Sequence, residues 1–238
     1  EADARQGVFF RWDGARLLAA AGGQTLPLDR FVGVDHQKAA LARNFAALAA
    51  GDPAHDMLLW GSRGMGKSAM LRSFAQSAGI GMAQATVDEL PTLPALFDRL
   101  RKAARPFVVF VDDLAFTPDD PAIRTLRSLL DGGVSARPEN VRLAVTSNHR
   151  HLMERPPTDS REVRHARDVV DDQLALVDRF GLVLGFHAPD QETYVEMVRR
   201  HLAAEGLDFA PEEAIAFALE RGGRSGRTAW HYRTEVVA

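Results

Sequence analysis

Eight consecutive residues, Gly61-Ser62-Arg63-Gly64-Met65-Gly66-Lys67-Ser68, match every fixed position of the phosphate-loop pattern G-x-x-x-x-G-K-[ST]. Glycines at 61, 64 and 66 let the backbone enter conformations closed to other residues, so successive N–H groups turn inward as an anion nest. A helix beginning near Lys67, with Ala69 in its first turn, adds the positive end of its dipole. In such a loop the lysine, here Lys67, reaches the β- and γ-phosphates of ATP as a point charge. The hydroxyl of Ser68 then ligates Mg²⁺. A second chemical feature lies downstream: Phe107-Val108-Val109-Phe110-Val111 runs into the paired carboxylates Asp112-Asp113. At the carboxyl end of a buried strand, Asp112 is placed to hold Mg²⁺ through its waters. Asp113 would face the γ-phosphate and orient the attacking water. The competing reading of the pair is a cap on the next helix, because aspartate favours such turns.

The elements that must position these groups can be read from apolar periodicity. Met57–Trp60 is a short buried strand, Lys67–Ala78 a helix and Gly81–Ala85 a weak strand. Leu93–Ala103 reads as a helix, Phe107–Val111 as a strand and Ala122–Leu130 as a helix. Val141–Thr146 is a strand, Val169–Val177 a helix and Leu182–Phe186 a strand. Five strands alternating with helices predict a parallel sheet with helices on both faces. A helix at 35–50, stopped by Gly51-Asp52-Pro53, precedes this core, and three helical stretches near 190–205, 211–220 and 227–237 follow it. Asp13-Gly14 between two apolar runs predicts a hairpin near the N-terminus. The expected division is a hairpin arm over 1–28, a core over 29–187 and a helical lid over 188–238. The chain opens on Glu1 and its last helical pattern stops mid-run, so it is expected to be a stretch of a longer protein.

With these motifs in place, the chain resembles the AAA+ ATPases over residues 29–238. Five pieces carry a more specific resemblance: Phe9-Phe10-Arg11-Trp12-Asp13-Gly14, the phosphate loop with Leu58-Leu59-Trp60 before it, and Val111-Asp112-Asp113-Leu114. The other two are Thr146-Ser147-Asn148-His149-Arg150-His151-Leu152 and Asp178-Arg179-Phe180-Gly181-Leu182-Val183-Leu184. On these the chain is similar to a bacterial family of AAA+ ATP-binding proteins known as a domain of unknown function. It stands near the replication-initiator, transposon-helper and helicase-loader branch. The usual second acidic residue of the class is glutamate, where this chain has Asp113, so the resemblance leaves the hydrolysis rate open. It implies that Asn148 acts as sensor 1, holding water or γ-phosphate, unless it merely ends its strand. It implies that Arg179 is an arginine finger reaching a neighbouring subunit, unless it makes a local ion pair with Asp178 or Asp171–Asp172. Arg227, with Arg224 as the competing choice, would be sensor 2 in the lid, unless it is an ordinary surface arginine. Phe31 and Val32, in Phe31-Val32-Gly33-Val34, would pack the adenine, the alternative being a core strand.

Composition narrows the remaining classes. A formal net charge of −3 argues against a strongly basic nucleic-acid clamp, and the absence of cysteine excludes disulfides and thiolate metal sites. No apolar run approaches the roughly 20 residues needed to span a bilayer, so no membrane partner is expected and the cytoplasm is the default location. His149, His151, His165 and His187 lack metal-ligand spacing with other donors. The arginine-rich 149–168 segment is interleaved with Glu154, Asp159, Glu162 and Asp168 and reads as a solvated loop. The expectation is therefore Mg²⁺-dependent ATP hydrolysis coupled to lid or subunit movement. Self-association into a ring or nucleotide-dependent oligomer is expected, with an unidentified protein or nucleic acid as partner. Two alternatives stand beside it: an ATP-binding switch or scaffold with little turnover, and a P-loop kinase acting on a small molecule.

Overall fold

The computed structural model describes residues 2–23, 25–115, 120–132, 137–148 and 174–238. Seven strands form one sheet: β1 Phe9–Trp12, β2 Leu17–Ala19, β3 Met57–Gly61, β4 Gly81–Ala85, β5 Phe107–Val111, β6 Val141–Ser147 and β7 Leu182–Phe186. Their order across the sheet is β2-β1-β4-β5-β6-β3-β7. All neighbouring pairs are parallel except the β1–β2 hairpin. The five strands expected from the sequence are all present, and the hairpin adds two more.

That addition corrects the expected five-strand count. The turn at Asp13-Gly14 is as predicted, with the Asp13 N–H bonded to Arg16 O at 3.2 Å and Asp13 Oδ1 accepting from the Ala15 and Arg16 N–H groups. The hairpin packs on the core, and β1 lies parallel against β4 with Phe10 opposite Ala83. Trp12 is fully buried and its Nε1 donates to Thr92 Oγ1 at 2.8 Å. The physical reason is the free edge of β4, whose unpaired backbone groups need partners that β1 supplies.

The helices are α1 Asp35–Ala50, α2 Lys67–Ala78, α3 Leu93–Arg101, α4 Pro121–Leu130, α5 Gln191–Ala203, α6 Pro211–Glu220 and α7 Gly226–Val237. Of the expected helix at 169–177, residues 174–177 are helical and the remainder lies outside the described residues, as does the arginine-rich 149–168 segment. Successive side chains of the central strands enter opposite layers, as the two-residue period of a strand requires. Met57 and Leu59 of β3, with Val108 and Phe110 of β5, join the layer that also holds α1, α2 and the C-terminal helices. Leu58, Trp60, Phe107, Val109 and Val111 enter the opposite layer with α3 and α4. Being buried on both faces, these strands read as continuous apolar runs.

Strand order decides which strand ends meet. β6 lies between β3 and β5, pairing Leu59 with Thr146 on one side and Val111 with Val145 on the other. The carboxyl ends of the phosphate-loop strand, the aspartate strand and the asparagine strand are therefore side by side. Adjacent strands lie about 4.8 Å apart, so groups on β3 and β5 are within roughly 10 Å.

Candidate functional site

The phosphate loop leaves β3 through Gly61, whose φ of 116° is closed to residues with a Cβ. A Cβ there would lie 2.1 Å from Phe186 O, and the same carbonyl accepts the Ser62 N–H at 2.8 Å. The loop is thus pinned to the end of β7 by contacts that only glycine permits at position 61. Lys67 begins α2 with its side chain buried, and its Nζ donates to Gly61 O and Ser62 O at 2.8 Å each and to Asn148 Oδ1 at 3.1 Å. Burial pushes its pKa down to about 8, opposed by Asp112 and Asp113 and reinforced by Arg227 and Arg63. The three acceptors around the ammonium are neutral, so the lysine is positioned to be attracted by an anion.

The Ser68 hydroxyl donates to Asp112 Oδ1 at 2.6 Å. Thr146 Oγ1 donates to the same oxygen and accepts the Asp113 N–H at 2.9 Å. One hydroxyl therefore holds the side chain of Asp112 and the backbone of Asp113. Asp113 has φ of 56°, a left-handed conformation that aspartate tolerates better than most residues. Its carboxylate accepts from Asn148 Nδ2 and lies 3.4 Å from Arg63 Nη2. The Asn148 amide consequently bridges Lys67 and Asp113.

These groups open into a cavity of about 620 Å³, within the range of small-molecule sites. Arg63, Gly64, Met65, Gly66, Lys67, Ser68, Ala69, Asp112, Asp113 and Asn148 line it, and so do Phe31, Val32 and Arg227. Gly61 and Ser62 are not on its wall and act through the carbonyls that hold Lys67. Phe31 packs at Gly66, where an added Cβ would meet its ring at 3.0 Å. Residues 31–34 form no strand, so the core-strand alternative for Phe31 and Val32 does not apply. At the far wall α7 presents its N-terminus, with the Arg227 N–H bonded to Gly64 O at 2.9 Å. Arg224 instead directs Nε to Pro189 O at 3.4 Å. Arg179 is not among the residues that line the cavity; it bonds Asp131 at the end of α4 and Ala175 O, and Asp171 and Asp172, the other local partners expected for it, lie outside the described residues.

Sequence reasoning did not single out Thr146, Arg30, Arg72, Met197, His201 or Trp230, which also line the cavity. Thr146 was within reach, since it lies near the end of β6, two residues before Asn148, which follows the strand directly, and the strand period extended by one residue puts both on one face. His201 and Trp230 come from α5 and α7 and stand edge to face at 5.3 Å between centroids. No motif signals that pairing. Burial, with Arg30 and Arg233 nearby, pushes the His201 pKa down to about 4.

The donor set fits a nucleoside triphosphate with magnesium. Five cations, Arg30, Arg63, Lys67, Arg72 and Arg227, face two carboxylates on the cavity wall. Ser68 and Asp112 supply neighbouring hard oxygen donors. No group of three or more His, Asp or Glu side chains suited to a metal occurs among the described residues. Magnesium bound mainly by phosphates, waters and one or two protein oxygens requires none.

The family described as Protein of unknown function (DUF815) matches residues 5–238. The chain belongs to this family. No curated protein matches it. The DUF815 chain is similar to a solved structure of the Thermotoga maritima RuvB Holliday junction branch migration motor, with TM-score 0.60 and 19% identity over 88% of this chain and 63% of RuvB. A RuvB mutant structure gives TM-score 0.60 and 18% identity over 88% of this chain and 64% of that one. The DUF815 chain therefore has the AAA+ P-loop fold and spans somewhat less than two thirds of the RuvB length.

Proposed function

We propose that this chain is a Mg²⁺-dependent ATPase in which residues 188–238 act as a lid over the 29–187 core. The observation that carries the reading is convergence. The phosphate loop, the Ser68–Asp112 pair, the Asp113–Asn148 pair and the first turn of α7 all face one cavity. Such sites work chiefly by positioning and charge stabilisation. Lys67 and the loop N–H groups hold the phosphates, and Arg227 brings the lid to the same ligand. Phe31 and Val32 provide apolar surface for the adenine. Ser68 and Asp112 hold the magnesium, which when bound neutralises charge developing on the phosphate oxygens. Asp113, held by Asn148, orients the attacking water. Lid opening and closing then follow the state of the nucleotide and move a macromolecular partner in the cytoplasm, either protein or nucleic acid.

Arg179 contributes in a neighbouring subunit of a ring or nucleotide-dependent oligomer, since it lies outside the cavity of its own chain. A trans arginine of this kind can be worth roughly 10³-fold or more in turnover. Steady-state ATP hydrolysis should therefore rise more than in proportion to protein concentration, and vanish in Lys67→Ala. Arg179→Ala should retain nucleotide binding but lose the concentration-dependent part. Fast turnover per chain that is independent of concentration would sink the trans assignment. One observation favours slow turnover in isolation: Asp113 is a shorter carboxylate than the class glutamate and is already engaged by Asn148 and Arg63. ATP retained unhydrolysed over hours would make the protein a nucleotide-controlled switch.

A further inference from the structure

Arg63 is the only arginine within the phosphate loop itself. Its side chain lines the cavity and reaches across to the aspartate strand, with Nη2 3.4 Å from Asp113 Oδ2. The other Asp113 oxygen accepts from Asn148 Nδ2. The carboxylate that would orient water is thus divided between an amide and a guanidinium. The two partners differ in how firmly they hold. Asn148 is fixed through its second bond to buried Lys67. The Arg63 side chain is 72% exposed and that of Asp113 53% exposed, and they share one long contact in solvent, an arrangement that contributes little.

A planar guanidinium binds phosphate through two parallel charge-assisted bonds, which are stronger than one long contact to a carboxylate. A γ-phosphate beside the loop would compete with Asp113 for Arg63 on these grounds. A diphosphate ends at its β-phosphate and has no γ-phosphate, so with it the Arg63–Asp113 contact is expected to persist. We propose that Arg63 discriminates triphosphate from diphosphate in cis, and that its transfer to the terminal phosphate releases Asp113 for the water. The proposal rests on the nucleotide site described above and adds a residue that reads the state of the ligand within one chain. It is separate from the trans role of Arg179, which requires a second subunit.

The test is equilibrium binding of a non-hydrolysable ATP analogue and of ADP, both with Mg²⁺, by calorimetry. The wild type, Arg63→Ala, Arg63→Lys, Asp113→Asn and the Arg63→Ala/Asp113→Asn double variant are compared at concentrations where the wild type is monomeric. Loss of a charge-assisted contact corresponds to about tenfold or more in affinity. Arg63→Ala should therefore bind the triphosphate about tenfold more weakly while ADP binding stays within about twofold. Arg63→Lys, which keeps the charge without the fork, should fall between. Asp113→Asn should tighten triphosphate binding more when Arg63 is present than when it is absent, because only then does it remove a competing partner. Equal losses for both nucleotides, or no loss for either, would overturn the role. Wild-type protein that binds ADP but shows no preference altered by these substitutions would overturn it while leaving the nucleotide site intact. Wild-type protein that binds neither nucleotide would sink the nucleotide site and this role together.

Discussion

At the residue scale, the site depends on side chains that each serve two groups. Thr146 is 2% exposed, donates to Asp112 and accepts from the Asp113 backbone. Thr146→Val preserves the shape and removes both bonds. It should cost about 1–3 kcal/mol of stability in a denaturant titration, because it leaves buried polar partners unmet. It should also raise the Mg²⁺ concentration required for hydrolysis, since Asp112 is no longer oriented toward Ser68. Thr146→Ser should retain most of both properties. His201 gives a pH prediction. Its folded pKa, about 4, lies below the ordinary 6.5, so between these values the unfolded chain binds the additional proton. Stability from this group is therefore full above about pH 6.5 and is lost as pH falls toward 4, amounting to roughly 2–3 kcal/mol. The difference in unfolding free energy between wild type and His201→Leu should shift by that amount between pH 7 and pH 4. A constant difference would mean that His201 is hydrated in the native state.

At the element scale, the sheet edge is where local sequence gave the least guidance. The hairpin turn is local and legible from Asp13-Gly14, but the destination of its first strand is not. Pairing β1 with β4 joins residues about seventy positions apart through backbone groups that every residue carries. Trp12 secures this edge by full burial, by its bond to Thr92 and by the Arg99 guanidinium 5.6 Å from its ring centroid. Trp12→Ala should lower stability by about 3–5 kcal/mol, the usual cost of deleting a large buried aromatic side chain. Equilibrium unfolding in urea checks this. A loss below about 1 kcal/mol would show that the hairpin adds little to the sheet. The helices of the core were more legible. Lys67–Ala78 coincides with its predicted span, because a glycine-rich loop before it and Gly79 after it mark both ends locally.

At the scale of the whole molecule, the cavity is assembled from the loop after β3, the ends of β5 and β6, the segment at 31–34 and the C-terminal helices. A ligand bridging these parts should stabilise them together. ATP analogue with Mg²⁺ at about 100 times its dissociation constant should add about 2.7 kcal/mol, raising the melting temperature by roughly 5–10 °C for a chain of this size. Lys67→Ala should lose this increase at the same ligand concentration, and differential scanning calorimetry separates the cases. An increase of equal size in both proteins would place the ligand elsewhere. The sequence by itself determined the phosphate loop, the paired aspartates, the asparagine strand end and the alternation of strands with helices. Those signals reside in short windows, where residue type and spacing directly constrain backbone conformation. Tertiary structure alone decided that β6 lies between β3 and β5 and that β1 extends the sheet beyond β4. It also decided that Thr146 ties the two aspartates, that Arg63 meets Asp113, and that His201 and Trp230 close the far wall. Each of these joins residues distant along the chain, and their contact depends on how whole layers pack, which no local pattern encodes.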